Sequence, residues 1–520
     1  MNNPFNYGTD HLTVGICLDL ANGKRKGIIG ADAARYIRAS QKAVQEIVHK
    51  EIPVYGINTG FGPLCDTHIS EQDTALLQSN ILKSHSVGVG KPIPKEISKL
   101  MLITKVQALA QGYSGVRMDI LERIIWHIDN DVIPVVPEKG SVGASGDLAP
   151  LAHLFLPLIG LGEVWVLENK VPAATVLKML NIEPISLGPK EGLALINGTQ
   201  FILAFAVKAV KRLGDALEIA DLAGAMSLEG LMGSSRPFDP RLHQLRPYKG
   251  NIHVAKNLFT LLDDSEIRHS HVNCDRVQDP YSLRCMPQVH GASRNAWLHL
   301  KELTEIELNS VTDNPIIFDA EDTISGGNFH GQPLAMVLDY ATVAAAELGN
   351  IADRRCYLMS EGRYGLPKLL MPDAGLNSGL MIPQYTTAAL VTENKTLCFP
   401  ASADSVPTSL GQEDHVSMGS ISSRKLHSVL ENIEYIQAIE LLYAAQALDF
   451  RRPLKSTPVI EALHSLIREH VPFIDNDRVF ADDINFIHGL LTSGAFLTKA
   501  RETAHQHQLN LFNDDNFGIY

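Results

Sequence analysis

The 520-residue sequence predicts a mainly α fold, a long-helix bundle with a loop-rich N-terminal region. Three observations predict it. The stretches Gln200 to Met232, Pro333 to Glu361 and Ser422 to Leu448 are long, rich in Ala, Leu and Glu, and carry apolar residues at helical spacing. Several of them stay apolar around much of their circumference, which implies burial on more than one side, inside a large bundle or at a subunit interface. Strand-like runs such as GEVWVLENKVPA are short and isolated, so no strand–helix rhythm supports a Rossmann sheet.

In chain order, residues 1–200 read as a loop-rich N-terminal region, 201–450 as the central long-helix bundle and 451–520 as a C-terminal helical cap. Glycine-rich pieces punctuate the helices: YGINTGFG (Tyr55 to Gly62), GSVGASGDLAPLAH (Gly140 to His153), INGTQ (Ile196 to Gln200) and SGGNFHGQP (Ser325 to Pro333). Loops held on a rigid scaffold are common homes for catalytic groups.

Bulk chemistry excludes several classes. A net charge of −13 with no basic block argues against nucleic acid. The most membrane-like segment, Leu148 to Gly162, is too short to span and contains two prolines and a histidine, so it reads as one or two buried helices. The first residues, MNNPFNYGTDHL, show no signal-peptide pattern. Cys17, Cys65, Cys274, Cys285, Cys356 and Cys398 form no CxxC pair; they suit reduced thiols in a cytoplasm, with no zinc or other metal site expected. Asn197-Gly198-Thr199 and Asn394-Lys395-Thr396 fit the glycosylation pattern and, without secretion signals, are read as coincidences.

The stretch around Ala144-Ser145-Gly146 sits at a helix mouth, with Asp147 and Pro150 as helix-start residues. A phosphate cradle would need GxxxxGK[ST] or GxGxxG, and neither is present. The tripeptide can instead react with itself. Attack of the Gly146 amide nitrogen on the Ala144 carbonyl closes a five-membered ring, and glycine offers no side chain to block the approach. Loss of water from the ring and of the Ser145 hydroxyl leaves an electrophilic exocyclic methylene.

GASGDLAPLAH resembles the signature of the aromatic amino acid ammonia-lyases and aminomutases, which make a methylidene-imidazolone group (MIO) from Ala-Ser-Gly. The resemblance runs over nearly the whole chain, through VYGINTGFG, LINGTQ, VQDPYSLRCMPQVHG, VTDNPIIF, SGGNFHGQP and PASADSVPTSLGQEDHVSM. It points to the histidine ammonia-lyase branch, and it implies a fumarase/aspartase-like helical core and a homotetramer whose active sites draw on more than one subunit. The implied reaction takes L-histidine to trans-urocanate and ammonia, the first step of histidine degradation, with MIO from Ala144, Ser145 and Gly146 and no external cofactor.

By the same resemblance, Tyr55 is the base that removes the β-proton, and Tyr281 helps polarise the reacting centre. Arg284 takes the substrate carboxylate as a fork-to-fork pair. His85, in ILKSHSVGVG, selects the ring. Asn197 bonds MIO or the substrate, and Gln278 and Asn314 are polar contacts of the same kind. Phe329 walls the pocket. In the pair Gln412-Glu413, Glu413 handles the substrate amine or ring. His290, in MPQVHG, departs from the hydrophobic residue common there and bears on substrate preference.

The nearest rivals are a tyrosine or phenylalanine ammonia-lyase and an MIO-type aminomutase. A fumarase-type lyase would use a GSS loop, and GLMGSSRPFDPR lacks the Met-Pro-x-Lys continuation. A helical scaffold protein would have no use for the clustered Gly, Tyr, Asn and Arg loops.

Overall fold

The computed structural model describes residues 3–50, 53–64, 66, 69–273, 275–512 and 514–520. Cys65 and Cys274 lie outside the described residues. The helices that matter here are α1 (Glu71–His85), α2 (Lys95–Ala110), α3 (Leu148–Phe155), α4 (Gln200–Gly230), α5 (Met286–Leu308), α6 (Gln332–Ser360), α7 (Met381–Leu397) and α8 (Gly419–Asp449). The C-terminal region adds α9 (Pro458–Arg468), α10 (Phe480–Thr492) and α11 (Ala495–Gln506).

Four of these helices make the bundle: α4, α5, α6 and α8 pack side by side, with α7 against α6 and α8, and α2 against α4. α4 and α8 have 31 residues each, about 45 Å of helix. Every residue from Ile219 to Gly230 and from Ile436 to Leu448 is buried. These segments therefore have no solvent face, as their all-round apolar pattern predicts. α6 is apolar enough and long enough to cross a membrane, but 72% of its apolar window is buried in the bundle, where it is a core helix.

The polar residues inside the bundle are paired. Arg355 and Glu440 are fully buried and meet fork to fork, and Ser227 donates to the same carboxylate at 2.7 Å. Asp221 accepts from Arg294 at 2.6 Å and pairs with His290 at 2.8 Å. Breaking such a buried pair by removing one partner typically destabilises by about 3–5 kcal/mol.

Strands are short. The run GEVWVLENKVPA forms an antiparallel hairpin, Glu163–Val166 against Asn169–Pro172, and Ile133–Pro134 extends it to three strands. The segment Leu148 to Gly162 folds as α3 followed by a 3₁₀ turn that ends at Gly160, φ 76°.

Three helix N-termini converge on one loop. Asp147 immediately precedes α3, yet its carboxylate caps α4 instead, accepting from the backbone N–H groups of Phe201 (3.1 Å) and Ile202 (3.0 Å). On the other side, Met418 N–H donates to the Val142 carbonyl at 2.9 Å and Ser420 Oγ to the Ser141 carbonyl at 2.6 Å, where α8 begins. The loop Ser141–Asp147 is thus fastened between the starts of α4 and α8.

Candidate active site

The fastened loop has a tight turn at its centre. Ala144 and Gly146 face each other as an isolated antiparallel bridge, with Ser145 between them. Gly146 is at φ 77°, and a Cβ there would lie 2.2 Å from the Gly198 carbonyl oxygen, so only glycine fits. Asp147 N–H donates to that same carbonyl at 2.8 Å. Burial pushes the Asp147 carboxyl up to about 7, against the opposing pull of the Ile202, Ser141 and Phe201 donors. The turn fits the ring that the Ala-Ser-Gly resemblance implies: residues 144 and 146 are already face to face and held from both flanks.

Ser145 projects into a cleft with two lobes. The first, about 400 Å³, is lined by Phe61, Leu64, Leu77, Ile81 and Leu148, with Asn80, Ser84 and His85 as its polar edge. The second, about 390 Å³, is polar and is lined by Ala144, Asn314, Ser325, Phe329, Gln412 and His415, among others. Tyr55, Ser145, Asn197 and Glu413 border both.

Local structure explains each placement. Tyr55 lies in a loop whose Gly56, φ 71°, packs against Leu193, and its phenolic oxygen accepts from the Gly62 N–H at 3.2 Å. His85 ends α1, its Nδ1 3.0 Å from Ser84 Oγ; burial holds its pKa below the ordinary value, opposed by a backbone hydrogen bond to Ile81 and the charge of Glu413. Glu413 accepts from Ser145 Oγ at 2.7 Å through one oxygen, and from Thr408 (2.9 Å) and Ser409 (3.0 Å) through the other. Asn314 Oδ1 accepts from Gly326 N–H and Ser325 Oγ, tying down the loop that carries Phe329.

The sequence-predicted residues therefore divide. Tyr55, His85, Ala144, Ser145, Asn197, Asn314, Phe329, Gln412 and Glu413 surround one cleft, while Gly146 lines neither lobe and lies behind Ser145 against Gly198. Gln278, Tyr281 and Arg284 line neither lobe. Tyr281 is 71% exposed, and the Arg284 guanidinium lies over its ring at 4.6 Å while donating to Gln278 Oε1 at 3.0 Å. His290 is fully buried in the bundle against Asp221 and does not border the cleft. Three buried ionisable groups behind Asn197, namely Lys105, Lys190 and Asp313, escaped the sequence reading. Lys105 in the apolar run MLITKVQALA was the signal available for one of them.

A model of the family described as aromatic amino acid lyase matches residues 12–469. The chain belongs to the aromatic amino acid lyase family. It is a carbon–nitrogen lyase with the helical fold of that family. It is 46% identical over 494 residues to a histidine ammonia-lyase of Myxococcus xanthus, covering 95% of this chain and 97% of the relative. The crystal structure of histidine ammonia-lyase from Trypanosoma cruzi superposes with a TM-score of 0.90 at 40% identity, covering 99% of this lyase and 97% of that chain. A tyrosine aminomutase from Streptomyces globisporus superposes with a TM-score of 0.92 at 35% identity, covering 96% and 99%. The expected family, its helical fold and its lyase class are borne out.

Proposed function

We propose that this lyase removes ammonia from L-histidine to give trans-urocanate, using an electrophile built from Ala144, Ser145 and Gly146 and no external cofactor. The observation that carries the reading is the seat of Ser145, on a pre-folded turn at the junction of two lobes, with Tyr55, Asn197 and Glu413 around it. The names of the relatives supply the substrate.

Once formed, MIO supplies an electrophilic methylene that makes nitrogen a better leaving group. The chain's own residues do the rest. Tyr55 takes the β-proton; a positioned base typically contributes ~10²–10⁴-fold, so it shares the acceleration with the electrophile. His85 and Glu413 meet the imidazole ring, whose nitrogens need partners when buried. Asn197, Asn314 and Gln412 are polar contacts, and Phe329 closes one wall.

Arg284 binds the substrate carboxylate, with Gln278 and Tyr281 beside it, from a second copy of the chain in a homotetramer. In this reading residues 1–200 carry the tripeptide and most of the cleft, 201–450 the bundle with Arg284 and Glu413, and 451–520 a cap. We place the protein in the cytoplasm, where thiols such as Cys17, Cys285, Cys356 and Cys398, all unbridged, stay reduced. The alternative is a tyrosine or phenylalanine lyase or aminomutase of the same chemistry, supported by the likeness to tyrosine aminomutase.

The test is product analysis after separate incubation with L-histidine, L-tyrosine and L-phenylalanine. Urocanate and ammonia should form from L-histidine with the highest kcat/KM. A higher value for tyrosine, or accumulation of a β-amino acid, would overturn the assignment.

A further inference from the structure

Two fully buried lysines stand behind the cleft wall, and both lead to Asn197. Lys105, within α2, donates to the Asn197 backbone carbonyl and lies 3.4 Å from Gln200 Oε1. Lys190, 0% exposed and held at φ 69°, an uncommon conformation for a residue with a side chain, pairs with buried Asp313 at 2.6 Å. The other oxygen of Asp313 accepts from the Asn314 N–H at 2.7 Å and lies 3.5 Å from Asn197 Nδ2. Asn197 Nδ2 itself donates to the Asn314 carbonyl at 2.8 Å.

Two acceptors, a carbonyl and a carboxylate, thus face one end of the Asn197 amide. Only the NH₂ end can meet them; the flipped amide would set oxygen against oxygen. The amide oxygen is turned the other way, and Asn197 borders both lobes of the cleft beside Ser145. Burying an amine and a carboxylate is unfavourable unless they are paired and hydrogen-bonded, and here the pair's remaining hydrogen bonds go to the Asn197–Asn314 contact. One carboxylate oxygen of Glu413, the acid nearest Ser145, is engaged by Thr408 and Ser409, hydroxyls that remain after the Ser145 hydroxyl has left as water.

We infer that Lys105, Lys190 and Asp313 are positioning residues that fix Asn197 with its amide oxygen toward the cleft, where it accepts a hydrogen bond from the substrate ammonium. The inference rests on the proposed reading of the cleft as an amino-acid site. A neutral amide oxygen suits the role, because it accepts from the ammonium without adding a charge that would repel the substrate carboxylate.

The decisive experiment compares ligands that differ only in the amine. In Lys190→Met/Asp313→Leu, which removes both charges together, kcat/KM for L-histidine should fall by about 10- to 100-fold, the size of one hydrogen bond to a charged group. The calorimetric Kd of imidazole-propionate, which lacks the amine, should stay unchanged, and the mass deficit of two waters expected for MIO should persist. Asn197→Ser, which leaves the charged pair in place, should give the same split and decides the matter if the double variant does not fold. Parallel weakening of both ligands, or undiminished histidine turnover, would overturn the inference. A wild type that ignores L-histidine and deaminates L-tyrosine would refute the substrate assignment alone; the same comparison then uses L-tyrosine against 3-(4-hydroxyphenyl)propionate.

Discussion

Glu413 accepts from Ser145 through one carboxylate oxygen and from Thr408 and Ser409 through the other; the latter two hydroxyls would keep the acid oriented beside residue 145 once the Ser145 hydroxyl has left as water. His85 lies within its field, and burial holds the ring's pKa down even so. A neutral imidazole both donates and accepts, which suits recognition of another imidazole. His85→Leu should therefore lower kcat/KM for L-histidine by about 10- to 100-fold and raise phenylalanine relative to histidine, with the turn still dehydrated. A variant that keeps full preference for histidine contradicts the role. Tyr55, Ser145, Asn197 and Glu413 were legible in the sequence because the loops that carry them resemble those of a known family; a glycine-rich or polar loop alone would have left each as an ordinary turn residue. Lys105 was legible only in part: its place in an apolar helical run marks a candidate buried lysine, but the run does not say that it reaches the Asn197 backbone carbonyl.

At the scale of the helix, the long apolar runs set the fold. The predicted segments Gln200 to Met232 and Pro333 to Glu361 end within two residues of α4 and α6, because neither has a competing signal inside it. α8 begins three residues before the predicted Ser422, since Gly419, Ser420 and Ile421 continue the helix from the left-handed Met418. Where α8 meets α4, His427 Nε2 donates to the Phe205 carbonyl at 2.9 Å and Nδ1 accepts from Arg212 at 3.1 Å. Burial first, then the Arg212 charge, lower the His427 pKa to about 3. The unfolded chain binds that proton near the ordinary 6.5, so stability present above 6.5 is lost as pH falls toward 3, by about 1.4 kcal/mol per pH unit. His427→Gln can keep both hydrogen bonds without titrating. The Tm difference between wild type and variant should narrow between pH 7 and pH 4; a difference independent of pH contradicts the account.

For the whole molecule, the proposed reaction leaves a substrate carboxylate without a cationic partner in the cleft of one chain. Among the described residues, no arginine or lysine lines either lobe, so nothing there matches a substrate carboxylate. Arg284, with Gln278 and the exposed Tyr281, lies outside it. This grouping could not be read from one sequence, because spacing along a chain does not reveal which surface meets a second copy. The outer face of α6 exposes Met336, Tyr340 and Val343, and α7 exposes Ile382 and Tyr385, an apolar surface of the kind that oligomers cover. The proposed homotetramer with shared sites predicts that Arg284→Ala and Ser145→Ala chains, each inactive alone, regain activity when co-expressed. Absence of recovery, or a fully active monomer by light scattering, rules it out. The central claim is that residues 144–146 of this lyase become its electrophile, and the intact mass of the purified chain tests it most directly. The account predicts a mass below that of the encoded sequence by two waters, restored to the encoded value when Ser145 is replaced by alanine apart from the substituted atom. A wild-type chain at its full encoded mass, yet active, would contradict it.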